Sequence, residues 1–165
     1  SYFEILADTF VGFLLDPWRK SAKRKAVATA KFFFFDVGVA NFLKGVNSLN
    51  RNSADFGEAF EHFVAMELKA YLSYRRIKND LTYWRDQSGH EVDFVVGNDV
   101  AIEVKATTRA TDRDLKGLRY LSEEGIIDSF FLVSFDELKR RTDDGIRLLH
   151  WRTFLDELWS DKLVT

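Results

Sequence analysis

Two short stretches of the chain carry charged residues where strand patterning expects apolar ones. In Glu91-Val92-Asp93-Phe94-Val95-Val96, alternation puts Glu91, Asp93 and Val95 on one face, and in Val100-Ala101-Ile102-Glu103-Val104-Lys105 it puts Ala101, Glu103 and Lys105 on one face. Gly97, Asn98 and Asp99 between them suit a three-residue hairpin loop. That register sets Asp93 opposite Glu103, Glu91 opposite Lys105 and Val95 opposite Ala101, whereas a two-residue loop would pair opposite faces of the pleat. Directly opposed carboxylates repel unless a cation compensates them. Hard divalent cations such as Mg²⁺ or Mn²⁺ take one or two carboxylates plus carbonyls and waters, so the pair is a fair half-site. Lys105, on the face of Glu103, can hold a nucleophilic water or the phosphate that it attacks, which is the arrangement phosphodiester hydrolysis needs. The plainer reading is a solvated sheet face, with Lys105 pairing only with Glu91.

The elements that must position these residues are legible around them. Asp55 followed three residues later by Glu58 resembles a capping box, opening a helix to about Arg75 that buries Phe56, Phe60, Phe63, Val64, Leu68 and Tyr71 or Leu72. Strands are expected over Leu81 to Arg85, Glu91 to Val96 and Val100 to Ala106, and their short turns imply an antiparallel meander. Asp112 then caps a helix to about Glu124, and Ile127 to Ser134 reads as a strand buried on both faces. A helical stretch over Phe135 to Arg141, a strand at Ile146 to His150 and a helix at Thr153 to Trp159 complete the chain. The central order is α, β, β, β, α, β.

The 165 residues and 46% hydrophobic content are enough for a real core, and with no cysteine a disulfide framework or thiolate metal site is excluded. There is no signal peptide and no apolar run long enough to span a membrane, so a soluble, cytoplasmic protein is expected. The chain starts at Ser1 in what already reads as mid-domain sequence, and is expected to be a piece of a longer polypeptide.

Net charge is −2, yet the window from Pro17 to Phe35 holds Arg19, Lys20, Lys23, Arg24, Lys25 and Lys31 and no acidic residue. Residues 1–50 comprise an N-terminal helix, two short strands flanking the basic loop, and a connector; residues 51–165 form a second unit. The first region reads either as the last helix and wing of a winged-helix module, or as a lead-in that packs its aromatics on the main domain, with its cations in a solvated loop.

Gly57-Glu58-Ala59-Phe60-Glu61 on a helix, Tyr83-Trp84-Arg85-Asp86, Glu91-Val92-Asp93-Phe94 and Ile102-Glu103-Val104-Lys105 together resemble the PD-(D/E)XK nuclease superfamily. With Lys31-Phe32-Phe33-Phe34-Phe35-Asp36-Val37-Gly38 included, the chain more narrowly resembles the DUF4143 domain found C-terminal to AAA-type ATPase domains. The resemblance implies an α/β restriction-endonuclease-like core. It also implies metal ligation by Asp93, Glu103 and Glu61 with the Val104 carbonyl, and Lys105 as the residue that orients water or stabilises charge at phosphorus. Glu61 follows the buried stripe of its helix, whereas Glu58 lies on the line of His62, Ala65 and Lys69. Val92 stands where the superfamily's motif has proline.

A Mg²⁺-dependent phosphodiesterase acting on DNA follows from this reading, with Glu61, Asp93, Glu103 and Lys105 at its centre. Arg19, Lys20, Lys23, Arg24, Lys25 and Lys31 form a backbone-binding arm, and Arg109 is a further phosphate contact. The alternative is an inactive module on a nuclease fold that binds DNA or protein partners or regulates the ATPase in cis. A third is self-association through aromatic surface. No glycine opens a phosphate loop, so ATP is expected only in an upstream domain. His62, His90 and His150 lack a second histidine at ligand spacing and read as packing or surface residues.

Overall fold

The structure, a computed structural model, describes residues 2–21, 23, 24 and 29–164. The chain opens with α1 (Tyr2–Asp8), then β1 (Gly12–Pro17) and β2 (Lys31–Phe34), then the short α2 (Val37–Leu43). Helix α3 (Ala54–Arg75) leads into the meander β3 (Leu81–Arg85), β4 (Glu91–Val96) and β5 (Val100–Lys105). A 3₁₀ turn at Asp112–Leu115 runs into α4 (Lys116–Ser122), followed by β6 (Ser129–Ser134), β7 (Arg140–Arg141), β8 (Arg147–His150) and α5 (Trp151–Trp159). The strands form one mixed eight-stranded sheet in the order β2-β1-β3-β4-β5-β6-β8-β7, and the protein is α/β. Among the described residues, no helix is long and apolar enough to cross a membrane.

The meander is antiparallel as its short turns require, and β6 returns parallel to β5 after α4, which packs against β4 and β5. One face of the sheet buries Phe94, Ile102, Val104, Phe131 and Val133 beneath Phe60, Val64 and Leu68 of α3 and Phe154 and Leu158 of α5. The other face buries Val92, Val95, Ala101 and Leu132 beneath Leu118 and Leu121 of α4. The continuous apolar run of β6 follows from this double cover.

Three local expectations are corrected. Ser53, rather than Asp55, caps α3, its hydroxyl accepting from the Phe56 N–H at 3.2 Å, and Glu58 pairs with Lys44 at the surface. Thr111, rather than Asp112, opens the 3₁₀ turn, with Asp114 Oδ2 accepting from its N–H at 2.7 Å and its hydroxyl at 2.9 Å. No helix forms over 135–141. There the buried Asp136 accepts from the Ala110 N–H at 3.0 Å and the Leu138 N–H at 3.0 Å, so its carboxylate takes backbone donors that a helix would pair internally.

The N-terminal hairpin extends the main sheet, because β1 pairs parallel with β3 at Asp16↔Thr82 and Pro17↔Tyr83. Its aromatics join the core: Phe33 lies 5.6 Å from Phe13, 5.4 Å from the His62 ring and 6.2 Å from Phe94. His62 is a packing residue, its Nε2 2.7 Å from the Phe34 carbonyl.

Candidate active site

The β4–β5 turn sets the register expected for a three-residue loop: Val96 pairs with Val100, Val95 with Ala101 and Phe94 with Ile102. Beyond Phe94 the alternation breaks. Across β3, Thr82 faces Val95 but Trp84 faces Val92, so β4 takes three steps where β3 takes two, and Asp93 and Phe94 together stand opposite Tyr83. This is a β-bulge, a feature that re-aims side chains beside functional sites. It explains why Val92 and Val95 share one core cluster although strict alternation would separate them. The expectation that Glu91, Asp93 and Val95 simply share a face is corrected accordingly.

At the bulge, a carboxylate takes over a main-chain partner: Asp93 Oδ2 accepts the Val104 N–H at 2.8 Å. Asp93 and Glu103 are 6% and 5% exposed, so both acids are buried. Lys105 Nζ reaches Glu103 Oε1 at 2.5 Å, which overturns the plainer expectation that Lys105 pairs with Glu91. Glu103 Oε2 is buried and has no hydrogen-bond partner. Such an orphaned oxygen is costly and calls for a cation or donor.

Glu61, carried by α3, stands apart from that pair. Its Oε1 is 3.2 Å from the ammonium of Lys31, which also pairs with Glu91 and lies 4.9 Å above the Tyr83 ring. Arg85 Nε is a second, longer partner of Glu91 at 3.6 Å. Asp93 lies within electrostatic reach of Glu61, Glu103, Lys105 and Lys31. The structure therefore brings Glu103 and Lys105 into contact, sets Asp93 within electrostatic reach of both, and joins Glu61 to the region through Lys31. Val104 contributes its N–H, with its side chain in the α3-side core.

Burial pushes the Asp93 carboxyl well above the usual carboxylate range, and Glu103 and Glu61 add to the rise. Burial likewise pushes Glu103 up to about 7 against the pull of Lys105. Burial works against the charge of Lys105, but Glu103 and Asp93 outweigh it and hold the ammonium above its ordinary value. The donor set fits a divalent cation, with two desolvated carboxylates, one carrying an orphaned oxygen. Among the described residues no three acidic or imidazole side chains form a ready-made metal cage, but Mg²⁺ commonly uses one or two carboxylates and keeps several waters.

Most of the expected DNA-binding arm is engaged with the protein itself. Lys20 donates to Asn98 Oδ1 at 3.0 Å, Lys23 reaches the Glu123 carbonyl, and Arg24 donates to the Tyr120 carbonyl at 3.0 Å and pairs with Glu123 at 2.5 Å. Buried Glu124 accepts the Ser21 hydroxyl at 2.7 Å and the Lys23 N–H at 2.9 Å, strapping this loop to the end of α4. Arg19 and Arg109 are exposed, and Lys25 lies outside the described residues. Sequence reasoning missed Lys31 as a neighbour of the carboxylates; nothing local signals it, because the contact arises from the fold of the N-terminal hairpin. It also missed Asp86, a buried acid 2.8 Å from His90 Nδ1, for which the spacing of Asp86 and His90 across one turn was the available signal.

No curated protein and no solved structure matches the chain. Residues 1–50 match the family described as Domain of unknown function (DUF8612). Residues 56–154, which include α3 from its third residue on, the meander and every member of the Asp93 site except Lys31, match the family described as Domain of unknown function (DUF4143). That match covers more than half of the 165 residues, and the chain belongs to the DUF4143 family.

Proposed function

We propose that this chain is a metal-dependent phosphodiesterase domain of PD-(D/E)XK type, acting on DNA within an AAA-type ATPase polypeptide. One observation carries the reading: the buried, unpartnered Glu103 Oε2, beside a second desolvated acid and an ammonium. Buried carboxylate oxygens are normally satisfied, and an orphaned one beside a second acid is a position that a cation or a donor would satisfy.

A divalent cation bound there supplies charge neutralisation and Lewis acidity at the phosphoryl group. Asp93 and Glu103 would hold it. Lys105 remains protonated at neutral pH, so its role is to orient the phosphate and stabilise charge as water adds to phosphorus and the ester P–O bond breaks; it is not the base. The attacking water gives up its proton to solvent, and the leaving oxygen takes one up from solvent. The test is cleavage of single-stranded, duplex and branched DNA with Mg²⁺ or Mn²⁺. Activity that disappears in Glu103→Gln supports the reading, and activity that survives it removes the site.

A second reading has its own observation. Lys31 is shared by Glu61 and Glu91, Arg85 is a longer partner of Glu91, and Lys105 pairs with Glu103, so three cations already offset most of the formal charge of the four acids. An inactive module binding DNA or a protein partner, or acting on the ATPase in cis, is compatible with that balance. It predicts DNA binding without metal uptake by the folded protein.

A further inference from the structure

The N-terminal hairpin places a cation between two of the acids that surround the site, Glu61 and Glu91. Lys31 Nζ is 3.2 Å from Glu61 Oε1, pairs also with Glu91, and sits 4.9 Å over the face of Tyr83, with only 27% of its side chain exposed. The strand that carries it is anchored on both sides. The Tyr83 hydroxyl donates to the Thr29 carbonyl before it, and His62 contacts the Phe34 carbonyl at 2.7 Å after it. Lys31 is thus a fixed member of the cluster rather than a mobile surface lysine.

Four acids, Glu61, Glu91, Asp93 and Glu103, share this region, and Lys31 engages the two that Lys105 does not. We infer that Lys31 is the resident counter-cation of the cluster, and that a divalent cation bound by Asp93 and Glu103 takes over Glu61 from it. The inference rests on reading Asp93 and Glu103 as cation ligands. The exchange needs no unfolding of the hairpin. Glu91 and the Tyr83 ring continue to hold the ammonium when Glu61 turns away. One positive charge replaces another beside the same carboxylate, which keeps the half-buried Glu61 paired in both states. The N-terminal hairpin thereby sets the metal affinity of a site whose other members all lie in the DUF4143 region.

The test is Mn²⁺ titration by calorimetry of the 165-residue chain as wild type, Lys31→Met, Lys31→Met/Glu61→Gln and Glu103→Gln. Methionine keeps an apolar stem on Tyr83 while deleting the charge. Lys31→Met is expected to bind Mn²⁺ about tenfold more tightly or better, and the added Glu61→Gln to cancel that gain. A second measurement uses the unaltered protein: acetylation of Lys31 by acetic anhydride, read by mass spectrometry against the exposed Lys69, should rise severalfold when Mg²⁺ is added. Equal Mn²⁺ affinity with and without Lys31, or Lys31 labelling unchanged by bound Mg²⁺, overturns the inference while leaving the proposed function standing if Glu103→Gln still abolishes binding. Absence of Mn²⁺ binding in both wild type and Lys31→Met, or binding indifferent to Glu103, overturns both. Binding by Lys31→Met alone supports the inference.

Discussion

The Val104 N–H donates to Asp93 Oδ2 across 2.8 Å, so the acid at the centre of the site is also a structural bridge between β4 and β5. Asp93 therefore answers to two demands. Its oxygen ties β5 to β4 beyond their last backbone pair, Phe94↔Ile102, and its charge adds to the repulsion with Glu103 and Glu61.

The two demands separate by substitution. Asp93→Ala leaves the buried Val104 N–H unpaired and is expected to cost about 1–3 kcal/mol, a fall in melting temperature of roughly 2–10 °C for a chain of this size. Asp93→Asn keeps an acceptor oxygen and removes one of the like charges, so its melting temperature should equal or exceed that of wild type. Thermal melts followed by circular dichroism check both. Metal binding or cleavage should be compared through Asp93→Asn, since loss in Asp93→Ala conflates ligand and scaffold.

Glu103 supplies a pH dependence with a definite sign. Its folded carboxyl titrates at about 7 against an ordinary 4.5, so the folded state holds the proton more tightly than the unfolded chain. Stability is then greatest below about pH 4.5 and falls as pH rises to about 7, by on the order of 3 kcal/mol. Asp93, also pushed up by burial, acts in the same direction. Glu103→Gln should flatten the Glu103 share of this slope and be the more stable protein at about pH 8. Urea unfolding across that pH range decides it. A wild-type stability that rises with pH over this window contradicts the burial argument.

The sequence made the hairpin register readable because a three-residue turn leaves one face-consistent pairing, and Phe94↔Ile102 through Val96↔Val100 follow it. The bulge was not readable. Glu91-Val92-Asp93-Phe94-Val95-Val96 alternates acceptably without it, and only the pairing of Trp84 with Val92 exposes the extra residue. Pattern also favoured a helix over 135–141, where one buried carboxylate, Asp136, instead takes two backbone donors and redirects the chain. Lys31 reads as one cation among six in a basic window, and its separate role depends on long-range contacts with Glu61 and Glu91.

Those contacts also divide the basic residues by what they are free to do. Arg24 is committed to Glu123 at 2.5 Å, the Tyr120 carbonyl at 3.0 Å and the Tyr120 ring at 4.9 Å, so Arg24→Ala should lower the melting temperature. Arg109 is exposed in the segment that follows Lys105. If duplex DNA is bound there, Arg109→Ala should reduce the slope of log affinity against log salt by about 0.9, and Arg24→Ala should leave it nearly unchanged. Fluorescence anisotropy at several salt concentrations measures both slopes. A larger loss for Arg24 than for Arg109 would return the strapped loop to the DNA interface.

Two glycines should respond to alanine with opposite signs. At Gly117, in the first turn of α4, an added Cβ would fall 1.9 Å from the Glu91 carbonyl oxygen, so the helix can approach β4 only without a side chain. Relief requires moving backbone, and the expected cost is about 1–3 kcal/mol or more. Gly57, inside α3, has nothing within 4 Å of a built Cβ, and alanine there should stabilise by up to about 1 kcal/mol through helix propensity. Urea midpoints with unchanged slopes would register both. Because the atom displaced by Gly117→Ala belongs to Glu91, the substitution also shifts the partner of Lys31, and Mn²⁺ affinity should change in Gly117→Ala but not in Gly57→Ala. Equal stability of the two variants would mean that α4 does not press on the start of β4, and that the strand is free to move independently of the helix.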